Sequence, residues 1–141
     1  YHQGAHSGKL RHCHCLFRGP GPPCAVIYAK KFQTGYIDPN VYSAETHSFS
    51  MEKSYTIRVS KKYLDEEDVV LIIDDILSNG QAALAMLELV SRSGGEVAGV
   101  GVAIEKAMRE GGSVLRRMGI RVEALATVER VQDGQIVLTD D

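Results

Sequence analysis

The pattern of apolar and polar positions is regular from Ala25 onward and centres on one stretch. Val69 to Ile73 holds five consecutive apolar residues, four of them β-branched, which predicts a short strand buried on both faces, as at the centre of a parallel sheet. Asp74-Asp75 stops the run. Ser78-Asn79-Gly80-Gln81 then offers small hydrogen-bonding side chains and a glycine that permits positive φ, and helix formers run from Ala82 to Leu89 until Ser93-Gly94-Gly95 ends them. The prediction is strand, loop, helix.

The flanking segments extend this order. Ala25 to Ala29 reads as a buried strand ending in Lys30-Lys31, and Phe32 to Asn40 as a loop. Val41 to Phe49 and Ser54 to Val59 read as two strands, the second alternating Tyr55, Ile57 and Val59 with Thr56 and Arg58. Lys61 to Asp68 reads as a charged connector whose charges meet solvent. Downstream, Val97 to Ile104 predicts a closely packed buried strand, Ser113 to Met118 a short helix after Gly111-Gly112, Arg121 to Val128 a strand, Asp133-Gly134 a turn and Gln135 to Leu138 a last strand. Strand, helix, strand, helix, strand is an α/β order, with right-handed crossovers placing helices on the sheet faces.

Chemistry concentrates after Ile73. Two adjacent carboxylates repel each other and are costly to bury, so at a strand's C-terminal edge they face a cation, hydroxyl groups or water. That edge is where open α/β sheets bind ligands. Backbone N–H groups of the following loop, backed by the positive end of a helix dipole, form an anion site without any basic side chain. An ordinary βα turn with a solvated Asp-Asp pair accounts for the bare spacing equally well.

Composition narrows the classes. A chain of 141 residues with 44% hydrophobic content forms one modest domain. A net charge of −2 argues against a dedicated nucleic-acid binder. No apolar run approaches the roughly 20 residues of a membrane span, and Tyr1 to Leu10 lacks the apolar core of a secretory signal. Cys13, Cys15 and Cys24 all fall in the first 24 residues, and the cysteine-free remainder fits a reducing cytoplasm.

Those first 24 residues also hold four of the five histidines and three of the four prolines, without helix or strand periodicity. In His12-Cys13-His14-Cys15 neighbouring side chains of an extended chain point to opposite sides, whereas zinc ligands are usually separated by two to four residues. An adventitious metal-binding tail is favoured over structural zinc.

The run Asp74-Asp75-Ile76-Leu77-Ser78-Asn79-Gly80-Gln81-Ala82-Ala83 resembles the phosphoribosyl-pyrophosphate signature of the type I phosphoribosyltransferases: apolar strand, two acidic residues, two apolar residues, and a small polar loop opening a helix. It is most similar to that of the xanthine-using members, and the similarity continues through Ala103-Ile104-Glu105-Lys106 to about Leu138. The resemblance implies a parallel-sheet, Rossmann-like α/β core over residues 25–141 with a β-flap, built here from the strands at 41–49 and 54–59, and N-terminally incomplete. It implies transfer of a phosphoribosyl group from phosphoribosyl pyrophosphate, with Mg2+, to xanthine, giving xanthosine monophosphate and pyrophosphate in a cytoplasmic, commonly homodimeric enzyme. Asp74 and Asp75 are its implied catalytic pair, holding the ribose hydroxyls. Ser78, Asn79, Gly80, Gln81 and Ala82 are implied to grip the 5′-phosphate, and Lys30 and Lys31 to lie near pyrophosphate. Lys106 is implied to meet the carbonyl edge of a 6-oxopurine, rejecting adenine, although lysine after a buried strand is commonly just a surface residue. Hypoxanthine–guanine relatives carry Asp, their candidate base, where this chain has Ser78. Xanthine is more acidic and tolerates that loss.

The family pattern also accounts for residues 1–24. His codons (CAY) and Cys codons (TGY) read one nucleotide later give Ile or Thr and Ala or Val, and Ser7-Gly8 with the His-Cys repeat lies where the family's Ser-Gly-Ile-Ala type loop is expected. A frame-shifted or misassembled start is the expectation, with an inactive truncated enzyme as its consequence. An alternative of another class is a regulator that senses phosphoribosyl pyrophosphate, but residues 1–40 show no helix-turn-helix.

Overall fold

The computed structural model describes residues 14–17, 26–32, 39–48 and 52–139. In chain order these form β1 (His14–Phe17), β2 (Ile27–Phe32), β3 (Val41–Ser48), β4 (Lys53–Ser60), β5 (Val69–Leu77), α1 (Gln81–Ser93), β6 (Glu96–Lys106), α2 (Gly111–Arg117), β7 (Val122–Gln132) and β8 (Gln135–Leu138). The strands make one eight-stranded sheet among the described residues, in the order β3-β4-β2-β1-β5-β6-β7-β8. Its parallel part is β5-β6-β7, linked through α1 and α2, and the outer pairings are antiparallel. α1 packs against β3, β5 and β6 and α2 against β7, as crossovers of the usual right hand continued in one direction predict for helices on one face.

Burial follows that arrangement. Val70 and Ile72 of β5, Val100 and Val102 of β6 and Val122 of β7 share a face and are buried, as are Ala83, Met86, Leu89 and Val90 of α1 and Leu115 of α2. The opposite face is more open: Leu71 and Ile73 are half-buried and Leu125 is exposed. The β3–β4 hairpin is part of the core, since Ala44, Ile57 and Val59 are buried and Arg92 of α1 donates to the Ser43 carbonyl at 2.8 Å. It is also tied into the sheet by the pairing of β4 with β2.

Several expectations are corrected. β5 does not stop at the aspartates but runs through them to Leu77, because Ile76 and Leu77 pair onward with Ile104 and Glu105. Lys30 and Lys31 lie inside β2 rather than after it, carried on by pairing of Lys30 with Arg58 and Lys31 with Ile57. The strand predicted at 25–29 is only partly buried: Ala29 is covered, Val26 and Tyr28 are exposed. In β6, Ala98, Ala103 and Ile104 are likewise exposed. The charged connector does not wholly meet solvent, because Leu64 packs in the core and buried Asp68 accepts the Asp65 N–H at 2.8 Å, closing a turn. Of residues 1–24, His14–Phe17 forms a strand despite its lack of periodicity, since backbone pairing to β2 and β5 requires no particular side chains. Cys13, Cys24 and the rest of that segment lie outside the described residues, as does the tip of the hairpin at 49–51.

Turn chemistry agrees with the sequence. Gly94 ends α1 at φ 84°, and Asp133 and Gly134, at φ 52° and 76°, form the two-residue hairpin turn between β7 and β8.

Candidate active site

β5, β6 and β7 end at one edge of the sheet, and the candidate residues gather there. Within β5 successive side chains face opposite sides, so Asp74 is buried on the helix-covered side while Asp75 is exposed on the other. This division weakens the repulsion expected of adjacent carboxylates. Each carboxylate also accepts a local N–H: Asp74 Oδ1 from Asp75 at 2.9 Å, and Asp75 Oδ1 from Ile76 at 2.8 Å.

The next three residues, Ser78, Asn79 and Gly80, form the whole loop between β5 and α1. Gly80 is the N-cap at φ 77°, a left-handed conformation that a side chain strains, and its carbonyl accepts the Leu84 N–H at 2.8 Å. No side chain caps the helix and no acidic residue occupies its first turn. The orphan N–H groups of Gln81, Ala82 and Ala83 are therefore presented together with the positive end of a 13-residue helix dipole. That arrangement is suited to a phosphate.

Lys106 is the last residue of β6 and is exposed. Glu105 pairs with Leu77 across the parallel ladder, so Lys106 comes level with Ser78. β2 runs in the same direction as β5, being antiparallel to β1 as β5 is. The register aligns Tyr28, Cys15 and Ile73, which brings Lys30 level with Asp75 at two strand spacings, about 10 Å. Lys30, though mid-strand, is thus at the same edge and is exposed. Lys31 follows it in the backbone.

Two residues that the sequence did not single out complete this edge. Glu105, 5% exposed, receives both arms of the Arg116 guanidinium, Nη1 to Oε1 at 2.7 Å and Nη2 to Oε2 at 2.6 Å. The carboxylate raises the Arg116 pKa above its ordinary value chiefly through this hydrogen bond. The available signal was Gly111-Gly112, a double glycine where backbone must come close. The Gly111 N–H donates to the Ser78 carbonyl at 2.9 Å, and side chains at Gly111 and Gly112 would collide with the Ser78-Asn79-Gly80 loop and with the Glu105 carboxylate respectively.

No family model matches the chain. Curated relatives do, and with this geometry they define its class: the chain belongs to the type I phosphoribosyltransferases. The relatives in question are named xanthine phosphoribosyltransferase. That of Ruminiclostridium cellulolyticum is 44% identical over 115 residues, 82% of this chain and 60% of the relative, and that of Clostridium novyi 46% identical over 112 residues, 79% and 59%. The chain thus spans about three-fifths of the length of these relatives. Solved structures share the fold. The adenine phosphoribosyltransferase of Rhodothermus marinus matches with a TM-score of 0.58 at 25% identity, covering 71% of this chain and 55% of that one. APRTase from Giardia lamblia, complexed with 9-deazaadenine, matches at 0.61 and 24% identity, covering 72% and 57%.

Proposed function

We propose that the chain transfers the phosphoribosyl group of phosphoribosyl pyrophosphate to xanthine, giving xanthosine 5′-monophosphate and pyrophosphate. The observation that carries this reading is the edge formed by β5 and β6: a carboxylate pair, an uncapped helix N-terminus opened by left-handed Gly80, and Lys106 level with Ser78, in a chain 44% identical to a xanthine phosphoribosyltransferase. The N–H groups at Ser78 to Ala82 hold the 5′-phosphate. Asp75, exposed at this edge, holds ribose hydroxyls, and the negative charge of Asp75 and of buried Asp74 favours the positive charge that develops at the anomeric carbon as pyrophosphate leaves. Lys106 donates to the carbonyl edge of the purine, where adenine offers only an amino group. Lys30, and Lys31 beside it, supply positive charge toward the pyrophosphate.

Mg2+ fits this edge as a partner of the substrate. Mg2+ is ordinarily held by one or two carboxylates plus substrate phosphates, and Asp75 is an exposed carboxylate at this edge. Bound with pyrophosphate, it neutralises the leaving group. The resemblance further implies a homodimer, which light scattering on the eluting protein tests. No helix among the described residues is long and apolar enough to cross a membrane.

The experiment is pyrophosphate release by the purified chain with phosphoribosyl pyrophosphate, Mg2+ and each purine base in turn. Release with xanthine above guanine and hypoxanthine, and none with adenine, is expected. Release with adenine would overturn the assignment of Lys106, and binding of phosphoribosyl pyrophosphate without release would indicate a sensor of that ligand.

A further inference from the structure

The Glu105–Arg116 pair has no part in the chemistry above, yet it joins the two pieces of the site. A carboxylate as buried as Glu105 is retained only when paired, and both its oxygens are taken by Arg116. The two-armed contact fixes the orientation of the carboxylate. What the pair does is fix α2: Gly112 lies so close to the Glu105 carboxylate that a Cβ would overlap it, and Arg116, four residues further along the helix, closes over the same group.

The start of α2 is in turn the wall on which the phosphate loop rests. Gly111 donates to the Ser78 carbonyl at 2.9 Å, and its Cα stands 3.0 Å from where a Cβ of Gly80 would be. On the other side of the clamp, Lys106 follows Glu105 directly in β6 and faces away from it, exposed. Its backbone is held by the Arg109 N–H on its carbonyl at 2.9 Å, in the short turn that leads into α2. Loop, clamp and lysine are one mechanical unit.

We propose that Glu105 and Arg116 are positioning residues that set the phosphate loop and Lys106 in a common register, so that the phosphate and the base of one nucleotide are gripped jointly. This rests on the functional reading above and deepens it. Loosening the clamp lets the two grips drift relative to each other, and a ligand spanning both loses more than a ligand touching one.

The test compares ribose 5-phosphate, which engages the loop and the β5 carboxylates but not Lys106, with xanthosine 5′-monophosphate, which engages the lysine as well. Calorimetric titrations are made on the wild-type chain, on Arg116→Lys, which keeps the charge but not the two-armed geometry, and on Glu105→Gln, with thermal melts to show that each variant is folded. Wild type is expected to bind the nucleotide more tightly than the sugar phosphate. In the folded variants that advantage is expected to shrink by about tenfold, and Lys106→Ala, which removes the advantage in the wild-type background, is expected to cost little more in theirs, the signature of coupled residues. A lowered melting temperature with an unchanged nucleotide-to-sugar-phosphate ratio would overturn the proposal and leave the functional reading intact. Wild type binding neither ligand would overturn both.

Discussion

β5 and β6 leave the sheet at the same edge and each turns into a helix, but the two turns are built oppositely. After β5 the turn is three residues long, ends with Gly80 at φ 77°, and delivers a 13-residue helix whose first N–H groups no side chain caps. β6 ends in exposed Lys106, and the turn after it carries exposed Arg109 and Glu110 and feeds a seven-residue helix that Arg116 fastens back onto buried Glu105. The first leaves its donors open to an anion. The second closes on itself and buttresses the first through Gly111. Similar strand-to-helix geometry thus yields an uncapped helix terminus in one place and its support in the other, and the difference lies in whether the helix is fastened back onto the protein.

Substitutions can break that contrast, and their effects should grade. Asp75→Asn removes exposed charge from the ligand side without disturbing the core. Pyrophosphate release should fall by about 100-fold, or about 2.7 kcal/mol of transition-state stabilisation, with the melting temperature little changed. Gly111→Ala attacks the support: a Cβ there meets the Ser78 carbonyl and the Gly80 nitrogen, both backbone, so denaturant titration should show a loss of about 2–3 kcal/mol together with weakened phosphate binding. Arg116→Ala leaves a buried carboxylate alone. Because the Arg116 side chain is half exposed, water recovers part of the cost, and about 2 kcal/mol is expected by the same titration. Arg121→Ala, cutting the exposed pair with Glu123 on β7 away from both turns, should change stability by less than about 0.5 kcal/mol.

Much of the contrast was legible in the sequence, for physical reasons that differ between the two turns. Periodicity and composition mark strand and helix in Val69 to Leu89, and Gly80 announces its positive φ, because these are local properties of a few consecutive residues. The hairpin turn at Asp133-Gly134 is legible for the same reason. The support was not legible: Glu105 and Arg116 are eleven residues apart, and only folding brings a strand end and the second turn of a helix into contact. Lys30 and Lys31 were misplaced at a strand end because strand length is set by the partner, β4, and not by the strand's own residues. Asp68 reads as one more charge in an acidic run, and its burial follows from the Asp65 N–H that its carboxylate caps. The division of Asp74 and Asp75 between the two faces likewise depends on β5 continuing past them.

The central claim is that the Gly80-opened helix N-terminus, together with the carboxylates of β5, binds the phosphate and ribose of phosphoribosyl pyrophosphate. Calorimetric titration of the 141-residue chain with phosphoribosyl pyrophosphate and Mg2+, beside a Gly80→Val variant shown by its melt to be folded, tests it most directly. The account predicts saturable binding by the wild-type chain and at least about tenfold weaker binding by the variant, whose side chain strains the left-handed cap. Equal affinity in the two proteins, or no binding by the folded wild-type chain, would contradict it.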